Sequence, residues 1–63
     1  MQNNIKYLRK RKETYYTQRE LAEKIGISMT ALNLIENGRG ANVSTAIKLS
    51  RVLNVPIEQI FFE

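Results

Sequence analysis

The sequence predicts an all-α domain of five short helices, and three observations carry that expectation. Apolar residues recur at helical spacing from Ile5 onward rather than in strict alternation. Residues 17–38, TQRELAEKIGISMTALNLIENG, hold two helix-start signals and two glycine stops in close succession. The one proline, Pro56, stands just ahead of the last apolar run, a position suited to the first turn of a helix.

Asn4 is placed to cap a first helix running to about Glu13, with Ile5 and Leu8 inward and the same stripe continuing to Arg11 and Lys12. Thr17 and Glu20 form a capping box, so the second helix begins at Gln18. Leu21, Ala22 and Ile25 face inward along it, Arg19, Glu20, Glu23 and Lys24 face solvent, and Gly26 supplies the left-handed stop. Ser28 caps a third helix with Leu32 and Ile35 inward, ending at Asn37-Gly38. Helices of two turns do not persist alone, so these two must brace each other, and the small Ala22 lets their axes approach. A fourth helix is expected over about residues 44–54, with Ala46, Leu49, Ser50 and Leu53 on one face, and a fifth after Pro56 carries Ile57, Ile60, Phe61 and Phe62.

Two features of this outline need partners. The inward stripes of the first and third helices each carry a charge, at Arg11 and at Glu36. The two are expected to pair, because an arginine fork can bond a carboxylate bidentately; the alternative is that both side chains reach water separately. The four large apolar residues near the C-terminal end exceed what one face of a short helix buries. Ile57, Phe61 and Phe62 are therefore expected either to form a two-fold dimer contact or to close a small core.

Composition narrows the function. Sixty-three residues suffice for one domain spanning 1–63, with a core near the lower limit, since a chain of this size buries about 60% of its extended surface. The absence of Cys excludes disulfides and thiolate chemistry. With no His and no Asp the usual general base is missing, as are most metal-ligand sets, so neither an enzyme nor a metal or cofactor site is expected. Gly38-Arg39-Gly40 lacks the residues of a nucleotide-binding motif, and no small-molecule ligand is evident. No apolar stretch approaches a membrane span or a signal peptide, so a cytoplasmic protein is expected. Ten basic residues against six acidic give a net charge of +4. Half of the basic residues lie within 6–12, which favours a polyanionic partner through counterion release.

Two capped helices around a tight turn form a helix-turn-helix, and here the residues resemble a known family. Gln18, Ala22, Gly26, Leu32 and Ile35, followed by Glu36-Asn37-Gly38, are similar to the helix-turn-helix of phage-repressor and Cro-type transcriptional regulators. Ile5 with Leu8 resembles the family's first helix, and residues 46–55, AIKLSRVLNV, resemble its fourth. Thr14-Tyr15-Tyr16 stand where the family has a glycine-rich loop, and Ala41 where a proline is common. The resemblance implies a compact five-helix, lambda-repressor-like domain with the motif in helices 2 and 3. It also implies an arginine late in helix 1 joined to Glu36.

In that geometry the second helix of the motif enters the major groove of double-stranded DNA. Met29, Thr30, Asn33 and Leu34 are then the base-reading set: Asn33 toward adenine, Thr30 toward several bases, and Met29 or Leu34 toward thymine methyls. Thr17 and Gln18, at a helix N-terminus, are candidate phosphate anchors, and Asn37, Arg39 and Thr45 are candidates on the flanking backbone, as family equivalents are. Lys6, Arg9, Lys10 and Lys12 are expected to supply diffuse attraction. A homodimer would set two reading helices about 34 Å apart and require a palindromic site. The expected function is sequence-specific transcription regulation, most simply repression. The alternative is a protein-interaction module on the same fold, an antitoxin-like partner or assembly adaptor.

Overall fold

The computed structural model describes residues 2–11 and 15–62. Five helices run in chain order: α1 (Ile5–Arg9), α2 (Gln18–Ile25), α3 (Met29–Glu36), α4 (Val43–Leu53) and α5 (Ile57–Ile60). Two short strands, β1 (Gln2–Asn3) and β2 (Phe61–Phe62), pair antiparallel with Gln2 opposite Phe62 and Asn3 opposite Phe61. The all-α expectation thus holds for the helices, with a two-residue ribbon added where β1 meets β2. Phe61 and Phe62, expected on the last helix, lie on that ribbon instead.

Local chemistry sets the central elements. The Thr17 hydroxyl accepts the Glu20 N–H at 3.1 Å and the Glu20 carboxylate accepts the Thr17 N–H at 2.9 Å, which closes the capping box at the start of α2. Gly26 ends that helix at φ 76°, in the left-handed region where a Cβ is unfavourable. Ser28 caps α3 through the Ala31 N–H. Asn42 caps α4 through the Thr45 N–H at 2.8 Å, so α4 begins one residue earlier than the sequence suggested. Asn54 closes α4 in the left-handed conformation that asparagine tolerates.

The first helix departs from expectation. It stops at Arg9, with Lys10 as its C-terminal cap, and its expected end near Glu13, together with Lys12 and Thr14, lies outside the described residues. Its first N–H is received by the Asn3 side chain at 3.1 Å, not by Asn4. Asn4 instead ties the two ends of the chain together, donating its backbone N–H to the Ile60 carbonyl and its amide to the Gln59 carbonyl.

The core contains Ile5, Leu8, Leu21, Ala22, Ile25, Leu32, Ile35, Leu49, Leu53, Val55 and Ile60, with Tyr16, Ile27, Ala41, Val52 and Phe61 packed against it. Every helix contributes, and α2 stacks on both α3 and α4. Leu21, Ala22 and Ile25 are the inward set read from the sequence, as are Leu32 and Ile35. Ser50 is half-buried and donates its hydroxyl to the Val55 carbonyl at 2.6 Å, linking α4 to the turn before α5.

Candidate nucleic-acid interface

The angle between α2 and α3 is set by apolar packing and by one buried carboxylate. Glu36, at the end of α3, accepts from Arg9 Nε at 2.8 Å and from Arg9 Nη2 at 3.3 Å, and the two side chains are 7% and 8% exposed. Gln18, the first residue of α2, donates its amide to the same carboxylate at 3.4 Å. Arg9 Nη1 also reaches the Tyr16 carbonyl at 3.4 Å, while the Tyr16 N–H donates to the Arg9 carbonyl. One cation and one anion therefore hold α1, α2 and α3 in a fixed mutual register.

This corrects the expected pairing of Arg11 with Glu36. Because α1 ends at Arg9, its buried stripe is Ile5, Leu8 and Arg9, at spacings of three and four. Arg11 lies past the helix end and turns toward α4, donating to the Leu53 carbonyl at 2.7 Å and to the Leu8 carbonyl at 3.3 Å. It works as a cap on the α4 C-terminus. Arg9, expected to attract polyanions diffusely, is buried and engaged, so among the described residues the exposed cations of this segment are Lys6 and Lys10.

On the opposite side α3 presents an unbroken outer face. Met29 is 45% and Leu34 42% exposed, and Thr30 and Asn33 are exposed between them. These large apolar side chains are on the surface because Leu32 and Ile35 already fill the inward stripe. A shallow groove flanks this face, lined by Ile27, Ala31, Leu34, Arg39, Asn42 and Thr45. Arg39 is exposed beyond the end of α3 and its guanidinium has no partner among the described residues.

The candidate phosphate ligands differ in what they retain. Thr17 spends its N–H and one oxygen lone pair on the capping box, leaving the hydroxyl proton to donate. A backbone hydrogen bond from Thr17 first, and its side chain second, hold the exposed Glu20 carboxyl below the ordinary glutamate value near 4.5. Gln18 keeps one amide N–H after its contact with Glu36. Thr45 is half-buried in the groove with its N–H given to Asn42, which leaves its hydroxyl. Asn37 gives its backbone N–H to the Asn33 carbonyl and its side-chain amide to Asn33 as well, so the donors expected to hold a phosphate are already engaged.

Of the predicted apolar contact residues, Ile57 is 37% and Phe62 38% exposed, whereas Phe61 packs on the core. Among the described residues no group of three or more His, Cys, Asp or Glu side chains converges as a metal site, and no helix is long and apolar enough to cross a membrane.

Two short helices, α2 and α3, packed across the tight turn at Gly26 define the helix-turn-helix class. The helix-turn-helix family model matches residues 5–60, and the chain belongs to that family, in its Cro and phage-repressor form. The family is one of DNA-binding transcription regulators rather than enzymes. No curated protein matches the chain.

Proposed function

We propose that this chain is a sequence-specific repressor of transcription, acting in the cytoplasm as a homodimer on a palindromic operator in double-stranded DNA. Residues 1–63 act as a single DNA-binding domain, without cofactor. The observation that carries the proposal is the outer face of α3, where Met29, Thr30, Asn33 and Leu34 stand exposed on a helix whose orientation is locked by Arg9, Glu36 and Gln18. Major-groove entry of α3 brings these four to base edges. Gln18, Thr17, Arg39 and Thr45 then lie at the two ends of the motif to meet phosphates.

Dimensions and surface support the dimer reading. The described residues extend 26 × 22 × 18 Å, less than the 34 Å or so between groove positions one turn apart, so reading two half-sites takes two copies. Ile57 and Phe62 supply exposed apolar area for that contact, with Phe61 behind them. The same patch supports a second reading, a protein-interaction module whose partner covers it.

The test is selection from random duplexes, with a salt titration and sedimentation of the protein and its complex. The proposal expects an enriched inverted repeat, an affinity falling steeply with salt, and two chains per duplex. Binding only at the nonspecific level of roughly 10⁻⁴ to 10⁻⁶ M, with no enriched sequence, overturns it in favour of the interaction module.

A further inference from the structure

Asn33 and Asn37 stand one turn apart on the outer face of α3 and its C-terminal cap, and their amides are joined. The Asn37 side-chain nitrogen donates to the Asn33 backbone carbonyl at 2.9 Å and to Asn33 Oδ1 at 3.1 Å. An amide nitrogen carries two N–H groups, so both are spent. The first bond fixes the Asn37 side chain against the helix end; the second takes hold of the neighbouring amide. Asn33 Oδ1 is thereby turned toward the C-terminal end of α3, and Asn33 Nδ2, whose donors have no partner among the described residues, is turned away from it.

We propose that Asn37 is a positioning residue that sets the hydrogen-bond polarity of Asn33, so that Asn33 meets its base pair as a donor. The inference rests on the reading that α3 occupies the major groove. The terminal torsion of an asparagine is broad and roughly two-fold, so an unheld amide offers its oxygen or its nitrogen with similar ease and discriminates weakly. Held by Asn37, Asn33 selects an edge that bears acceptors, guanine N7 and O6 or adenine N7, and rejects the N4 amine of cytosine. This narrows the role of Asn33 from general adenine recognition to discrimination between acceptor and amine at one pair of each half-site. It also gives Asn37 a part in sequence choice without contact to DNA.

The experiment is duplex selection with the wild-type chain and four variants: Asn33→Ala, Asn37→Ala, Asn37→Asp and the double variant Asn33→Ala/Asn37→Asp. Asn37→Asp replaces the donor by an acceptor, which attracts Asn33 Nδ2 and turns Oδ1 outward. The expected result is a reversal at the pair that Asn33→Ala flattens, from an acceptor-bearing to an amine-bearing edge. Its size is about fivefold or more, the lower end of what one good base contact discriminates. Asn37→Ala relaxes that pair without reversing it. In the Asn33→Ala background, Asn37→Asp leaves the pair unchanged, because the effect runs through Asn33. Uniform weakening at all positions by Asn37→Asp, or a shift at a pair that Asn33→Ala does not touch, overturns the proposal while leaving the groove reading intact. Failure of the wild-type chain to enrich any sequence overturns the groove reading and this inference with it.

Discussion

Glu36→Ala is the substitution with the largest expected consequence, and its size can be worked from the brace. Glu36 and Arg9 are each more than nine-tenths buried and share two hydrogen bonds. Removing one member of such a pair strands the other charge away from water, at about 3–5 kcal/mol. At 0.05–0.15 kcal/mol per residue, a chain of 63 residues holds a total of about 3–9 kcal/mol. The substitution therefore removes between a third and all of the stability. Urea unfolding followed by far-UV circular dichroism measures it. With a slope near 1 kcal/mol/M, at the low end for so small a chain, the midpoint falls by about 3 M or more. Glu23→Ala, on the exposed face of α2, stays within about 0.5 kcal/mol of wild type. Arg9→Ala should match Glu36→Ala, while Arg11→Ala costs about 1.5 kcal/mol, the low end for a charged hydrogen bond. Because the single variants can unfold outright, the double change Arg9→Met/Glu36→Leu provides the complementary measurement. Replacing both charges by apolar groups leaves no stranded ion, and the fold should be retained near wild-type stability. Equal midpoints for Glu36→Ala and Glu23→Ala, or a loss for Arg11→Ala as large as for Arg9→Ala, would refute the reasoning.

Three further outcomes are expected. Gly26→Ala meets no neighbouring atom but must adopt φ 76°, so thermal unfolding should show a loss of about 1–2 kcal/mol from backbone strain alone. Gly40→Ala, in open space and outside that region, should instead be neutral or gain up to about 1 kcal/mol. The Glu20 carboxyl titrates below its ordinary range in the folded chain, so its contribution is fully present above pH 4.5 and fades as pH falls through the folded value. Glu20→Gln should accordingly be less stable than wild type near neutrality and converge with it in strong acid, as read by unfolding midpoints across pH. Arg39→Ala should weaken binding to all duplexes alike and lower the slope of log affinity against log salt by about 1, the signature of one lost phosphate contact.

What the sequence disclosed was governed by how local the chemistry is. The Thr17–Glu20 box, the Gly26 stop and the Ser28 cap each involve residues within four positions, so α2 and α3 could be read directly. The end of α1 could not, because no glycine or proline marks it. Its stop coincides with bonds beyond helical spacing, Tyr16 to the Arg9 carbonyl seven residues back and Arg11 to the distant Leu53 carbonyl. Helical spacing continued the apolar stripe through Arg11, and the choice between Arg9 and Arg11 as the partner of Glu36 turned on that boundary. The β1–β2 ribbon was invisible for a related reason: two-residue strands show no alternation, and the partner lies at the other end of the chain. The Asn33–Asn37 contact was legible in principle, since residues four apart on a helix are neighbours. Assigning Asn37 to phosphate passed over it.

The ribbon also has a bearing on the order in which the molecule comes together. Its ties join residues up to 60 positions apart, whereas the packing of α2 on α3 is almost wholly local in the chain. Closing so long a loop carries an entropic cost that short loops escape. The helical centre is therefore expected to form early and the seam between Asn4 and Ile60 to close last. Native-state hydrogen exchange is therefore expected to find the Asn4 N–H less protected than the N–H groups within α2. Asn3 donates its amide to the Ile35 carbonyl at 2.8 Å, so parting of the seam also withdraws a support from the last turn of α3. The pairing of the two chain segments is thus coupled to the end of α3.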